Sequence, residues 1–77
     1  METVKSALRQ MLIDLASLPE GFDENADLYS DLGVASMKAM ELLVEIEDRF
    51  GVSVPDEEFI QATSLESLAA MIQKLKG

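Results

Sequence analysis

Apolar residues near the start of the chain recur at the spacing of one helical face. Val4, Leu8, Met11, Leu12 and Leu15 lie three or four positions apart, which predicts a first amphipathic helix ending near Leu18. Pro19, Glu20 and Gly21 then break the pattern. Residues 19 to about 35 form a connection longer than most in compact domains. It carries Phe22, Leu28, Tyr29, Leu32 and Val34, enough apolar surface to pin it onto a core, so it reads as ordered. A second helix is expected from Ser36, whose hydroxyl is placed to accept from an unpaired first-turn amide, through Phe50 to a stop at Gly51. Val52-Ser53-Val54 reads as extended, and Pro55 with Asp56, Glu57 and Glu58 as the first turn of a short third helix. Thr63 and Glu66 fit a capping box for a last helix with the stripe Leu65, Leu68, Ile72 and Leu75. Three main helices and one short one imply an all-α four-helix bundle occupying residues 1–77 as a single domain.

The second helix has two apolar faces. At about 100° per residue, Ala39, Leu42, Leu43, Ile46 and Phe50 share the face expected to meet the core. Met37, Met40 and Val44 fall on nearly the opposite side, among Glu41, Glu45, Glu47 and Asp48. A peripheral helix in a small bundle needs one buried face. The second stripe is either covered by the connection or the third helix, or it is a docking surface where adaptable methionines pack on a partner and the acids steer its basic side chains. The latter assigns partner binding to Met37, Met40, Glu41, Val44, Glu45, Glu47 and Asp48.

Charge sharpens that expectation. The 77 residues carry 15 acids against 6 bases, a formal charge of −9. Twelve of those acids and only two bases, Lys38 and Arg49, lie between Glu20 and Glu58. Such a surface repels nucleic acid and anionic membranes and favours basic protein patches. No apolar run approaches the roughly 18 residues of a membrane span, and no basic segment followed by an apolar core marks a signal peptide. With no cysteine to suggest an oxidising compartment, the expected location is cytoplasmic.

Several chemistries are disfavoured. A nucleophilic serine needs a base, and the chain has no histidine. Zinc would find neither cysteine nor histidine. Asp23, Asn25, Asp27 and Asp31 match four positions of a calcium loop, but Leu28 stands where the turn requires glycine and Val34 where a bidentate glutamate belongs. The chain is therefore expected to be neither an enzyme nor a metal protein.

The run Gly33-Val34-Ala35-Ser36-Met37, then Glu41-Leu42-Leu43, Ile46-Glu47-Asp48-Arg49-Phe50-Gly51-Val52 and Val54-Pro55-Asp56-Glu57, resembles the acyl carrier protein family. Upstream, Asp27-Leu28 and Asp31-Leu32-Gly33 match it too, and the resemblance covers nearly the whole chain. It implies a four-helix bundle on which a phosphopantetheinyl transferase attaches 4'-phosphopantetheine from coenzyme A to Ser36 through a phosphodiester. The terminal thiol of that arm holds acyl groups as thioesters, which gives a cysteine-free chain its thiol chemistry. The implied partners are that transferase and acyl-transferring, ligase or synthase enzymes with basic docking surfaces, met by a monomeric carrier. Two positions depart from the family pattern: Ala35 replaces the usual aspartate before the serine, and Met37 replaces leucine. The missing charge points to a specialised carrier, for polyketide, lipid-modifying or aminoacyl-transfer pathways, rather than central fatty acid synthesis. It also favours the rival reading, an unmodified acidic interaction domain. Cargo resting inside the bundle would lie between Ile46, Phe50, Leu68 and Ile72.

Overall fold

Thr3 opens the first helix, its hydroxyl accepting from the Ser6 amide at 3.0 Å. The computed structural model describes residues 3–77, so the first two positions of the expected domain lie outside it. Among the described residues are four helices and no strand: α1 (Val4–Ala16), α2 (Met37–Phe50), α3 (Asp56–Gln61) and α4 (Leu65–Lys76). The all-α bundle expected from the periodicity is the fold observed.

The core follows the apolar stripes. Leu8 and Leu12 of α1, Ile46 of α2, and Leu65, Leu68 and Ile72 of α4 are completely buried, and Leu42 nearly so. α1 packs against both α2 and α4, while α3 lies on α4. The connection between α1 and α2 is ordered as expected. It delivers Leu18, Phe22, Leu28 and Val34 into the same core, with Tyr29 and Leu32 half-buried against it. Fully burying a leucine-sized side chain contributes roughly 1.5–3 kcal/mol, so the connection is as much a part of the core as any helix.

Helix boundaries depart from the sequence expectation in three places. α1 ends at Ala16 rather than near Leu18, because Ser17 takes a left-handed conformation (φ 57°, ψ 38°) that turns the chain. Leu18 then leaves the helix and is buried. Pro55 is the N-cap of α3 rather than its first helical residue, although Asp56, Glu57 and Glu58 occupy the first turn as expected. The capping box of α4 is formed by Ser64 and Ser67, not Thr63 and Glu66. The Ser64 hydroxyl accepts from the Ser67 amide at 3.1 Å, and the Ser67 hydroxyl accepts from the Ser64 amide at 3.0 Å. Glu66 is drawn instead to Lys5, 2.6 Å away, and the Thr63 carbonyl accepts from the Leu28 amide at 2.7 Å.

Two polar assemblies brace the connection against the helices. Lys5 of α1 bridges Glu24 (3.1 Å) and Glu66, tying α1, the connection and α4 together. This raises the Lys5 pKa and lowers that of Glu66. Arg9 donates through one nitrogen to the carbonyls of Glu20 and Phe22, both at 2.9 Å, and stacks 4.4 Å from the Phe22 ring centre. Gly51 ends α2 with φ 65°, a conformation that disfavours any residue with a Cβ.

Candidate functional site

The segment leading to Ser36 is held by its own acids. One Asp27 carboxylate oxygen accepts from the amides of Tyr29 and Ser30, each at 2.9 Å, and Asp31 returns the favour by accepting from the Asp27 amide at 3.0 Å. Those amide bonds hold the Asp27 carboxyl below its ordinary range. Asp23 likewise accepts from the Asn25 amide at 2.9 Å. The carboxylates that resemble calcium ligands in the sequence are thus turned onto backbone amides. The Val34 amide donates to the Leu28 carbonyl at 2.8 Å, and Gly33 makes the intervening turn with φ 72°. Leu28, buried at the centre of this segment, therefore fixes where the chain enters α2.

Ser36 corrects the capping expectation. Its backbone is right-handed helical (φ −61°, ψ −28°), and its side chain makes no cap hydrogen bond. A capping serine needs an extended backbone to swing its oxygen over the first-turn amides. Here the first turn instead begins one residue early, with the Lys38 amide donating to the Ala35 carbonyl at 2.9 Å and the Ala39 amide to the Ser36 carbonyl at 3.0 Å. The Ser36 residue is exposed, its hydroxyl uncommitted to the helix it heads. The amino-terminal end of a helix favours negative charge, which suits a phosphodiester at this oxygen.

An apolar track starts at the same serine. A cleft of about 210 Å³ is lined by Tyr29, Ser36, Ala39, Phe59 and Ile60. It shares Ala39, Phe59 and Ile60 with a second cleft of about 310 Å³ that continues between α2 and α3 past Met40 and Leu43. By contrast Ile46, Leu68 and Ile72 are fully buried, and Phe50 lies beneath the Lys76 ammonium at 5.8 Å. The open space beside Ser36 therefore lies along the α2–α3 groove. Of the four residues proposed as a cargo site, Ile46, Leu68 and Ile72 belong to the buried core and Phe50 packs against it.

The second stripe of α2 is uncovered: Met37, Met40 and Val44 are 76%, 67% and 55% exposed. Neither the connection nor α3 closes over it. Glu41, Glu45 and Asp48 are exposed beside the stripe, with Lys38 3.4 Å from Glu41. Glu47 differs from them, because its carboxylate accepts from the Val54 amide at 2.9 Å and so holds the link between α2 and α3. Three residues missed by sequence reasoning border these surfaces. Ile60 is 71% exposed on α3, where six residues are too few for periodicity to say whether it or Phe59 points inward. Leu15 and Tyr29 fit the core pattern but remain half-exposed at groove edges.

The hydroxyl, its helix end and the adjoining track fit a phosphopantetheine group, whose attachment needs a reachable oxygen with room beside it. Comparison with known proteins agrees. A model of the family described as "Phosphopantetheine attachment site" matches residues 6–72. The acyl carrier protein of Akkermansia muciniphila is 29% identical over 76 residues, covering 97% of this chain and 95% of that protein. That of Rhodococcus erythropolis is 29% identical over 77 residues, covering 99% and 85%. The non-reducing polyketide synthase pigA of Monascus ruber is 35% identical over 75 residues, 96% of this chain but only 3% of the synthase. No helix among the described residues is long and apolar enough to cross a membrane. With the matched region spanning most of the chain, including the serine, all of α2 and α3 and most of α1 and α4, the protein belongs to the acyl carrier protein family, whose members carry covalently attached 4'-phosphopantetheine.

Proposed function

We propose that Ser36 is the attachment residue and that the chain serves as a non-catalytic carrier for acyl intermediates in fatty acid, polyketide or related specialised biosynthesis. The observation that carries this reading is the exposed Ser36 hydroxyl, free of any cap bond, at the head of α2 and at the mouth of an apolar track. When attached, the arm supplies a terminal thiol that holds acyl groups as thioesters. The chain's own residues do the positioning. Asp27, Asp31 and Leu28 fix the approach to α2, the helix end favours the phosphodiester charge, and Tyr29, Ala39, Phe59 and Ile60 offer an apolar bed beside it. Deprotonation of the Ser36 oxygen falls to the transferase, since the chain contains no histidine.

The exposed α2 face, with Met37, Met40 and Val44 flanked by Glu41, Glu45 and Asp48, supports recognition by enzymes with basic docking surfaces, the phosphopantetheinyl transferase among them. Glu47 contributes charge to that face while its carboxylate is held by Val54. The charge of −9 favours a monomer, since copies repel one another, and the lack of cysteine is in keeping with a cytoplasmic setting. The test is mass spectrometry after incubation with coenzyme A and a promiscuous transferase. Wild type should gain one phosphopantetheine and Ser36→Ala none. No gain by wild type, or equal gain by Ser36→Ala, overturns the assignment and leaves the unmodified interaction domain, the reading that Ala35 favours.

A further inference from the structure

The chain has five methionines and no cysteine, so before any arm is attached its only oxidisable sulfurs are thioethers. They fall into two classes. Met11 and Met71 are each 7% exposed within the core, whereas Met37 and Met40 are 76% and 67% exposed on α2; Met1 lies outside the described residues. The exposed pair sits where a change at sulfur has consequences. Met37 follows Ser36 directly, as the first residue of α2. Met40 stands on the ridge between two apolar clefts. It lines the groove of about 310 Å³ towards α3 with Leu43, Phe59 and Ile60, and another of about 400 Å³ towards α1 with Leu15 and Val44. One altered side chain at that ridge changes both.

We propose that Met37 and Met40 form a reversible oxidation site, where hydrogen peroxide converts the thioethers to sulfoxides and thereby slows loading of Ser36. This rests on the carrier reading and adds a redox input to it. In each event the sulfur lone pair attacks one peroxide oxygen, so that an S–O bond forms as the O–O bond breaks. The sulfur gives up two electrons, and the proton left on the transferred oxygen passes to the departing hydroxide, giving water. Reversal takes two electrons from a pair of thiols and yields thioether, disulfide and water. Hydrogen peroxide is small and uncharged, so the charge of −9 that would hold off an anionic oxidant does not hinder it. Access then selects the sulfurs, and the buried pair is spared. A sulfoxide replaces an apolar, deformable contact with a strongly polar one. Its oxygen must shed water when a partner covers it, and the neighbouring Glu41 and Glu45 carboxylates have no hydrogen to donate in exchange. The core face of the helix, with Leu42 and Ile46 buried, is untouched.

The test uses the full chain without its arm, so that no thiol competes for the oxidant. The protein is treated with hydrogen peroxide, catalase removes the excess, and coenzyme A is added with a promiscuous transferase. Peptide mapping by mass locates each added oxygen, and intact mass follows loading. Met37 and Met40 should gain oxygen about tenfold faster than Met11 and Met71, in line with their access. The oxidised protein should load about fivefold to tenfold more slowly, the scale of one spoiled contact in an interface. Its circular dichroism should match that of the untreated chain, which separates this effect from unfolding. Methionine sulfoxide reductases with dithiothreitol should restore the rate. The double variant Met37→Leu, Met40→Leu, whatever its own rate, should load equally fast before and after peroxide. It keeps Met1, Met11 and Met71, so a peroxide effect that persists in it assigns the switch elsewhere and overturns the proposal. Equal oxidation of the buried pair overturns the access argument and the proposal with it. Wild type that loads at one rate whether or not Met37 and Met40 are oxidised defeats the switch alone. Untreated wild type that never loads defeats the carrier reading, and the switch falls with it.

Discussion

Glu47→Ala should destabilise the fold while Glu45→Ala and Asp48→Ala do not, although a helical wheel groups all three as one acidic rim. The Glu47 carboxylate accepts from the Val54 amide at 2.9 Å, seven residues away across the turn at Gly51. Val54 is buried, and the residues after it form α3, whose Phe59 and Ile60 wall the track at Ser36. A hydrogen bond to a charged group is worth about 1.5–3 kcal/mol when dry. Glu47 is only half-buried, so water replaces part of the lost bond, and about 1 kcal/mol is the expected cost. In a domain this small that lowers Tm by about 4–8 °C. Glu47→Gln keeps an acceptor oxygen without the charge and should lose about half as much. Exposed substitutions at Glu45 and Asp48 should stay within about 0.5 kcal/mol of wild type. Thermal melts followed by circular dichroism give the stabilities, and hydrogen exchange at the Val54 amide reads the bond itself. The reasoning fails if Glu47→Ala melts with Glu45→Ala and the Val54 amide exchanges at its wild-type rate.

Leu28→Ala removes a fully buried side chain from the segment that positions Ser36. It should cost about 2–5 kcal/mol, a large share of a small domain's stability, read as a lowered urea midpoint; an unchanged midpoint would show that the connection is not part of the core. Asp27 and Glu66 are held below their ordinary values of 3.8 and 4.5, Asp27 mainly by backbone amides and Glu66 mainly by Lys5. A lowered folded-state value means that their stabilisation is full above those ordinary values and is lost as pH falls through the lowered ones. Asp27→Asn should therefore flatten the acid limb of a Tm-against-pH curve, and an identical limb would refute it. Charge reversal at Glu41 and Asp48 together should slow transferase loading of Ser36, and added salt should slow wild type. Loading rates insensitive to both would remove electrostatic steering from the account.

Helical periodicity carried the three long helices and most of the core, because burial of one face leaves its spacing in the chain, while the short α3 was legible from Pro55 and the acids that follow it. What it missed was settled between elements. Thr63 and Ser64 are adjacent hydroxyls, and Glu66 made the first look like the cap. The helix instead starts at the fully buried Leu65, while Lys5, sixty-one positions upstream of Glu66, claims the glutamate. Ser36 precedes a helix, which is ordinarily a capping position. Its backbone is set by a connection anchored through Leu28 to Thr63, and no local rule contains that contact. Glu47 shares a surface arc with its acidic neighbours, but only the fold brings Val54 to it. Leu15 fits the core spacing and yet forms a groove wall, since how deeply a stripe is buried depends on the width of the helix laid against it.

The distribution of acids bears on how a partner finds this carrier. Asp23, Asp27 and Asp31 direct their carboxylates at backbone amides of the connection, Glu24 and Glu66 face Lys5, and Glu58 lies 2.7 Å from Lys74. These groups still add to the long-range field, but each already has a short-range donor. Glu45 and Asp48 stand exposed on α2, and Glu41 meets the part-exposed Lys38 ammonium at 3.4 Å. A basic enzyme approaching from a distance feels the whole charge, then at contact finds the carboxylates of α2 the easiest to engage. Under the proposed docking role, the total charge would govern how often partners arrive, screened beyond about 10 Å in ordinary salt, and the α2 acids where they stop. On the proposed assignment that stopping place adjoins Ser36, so one helix would both present the attachment oxygen and bring the docked enzyme to it.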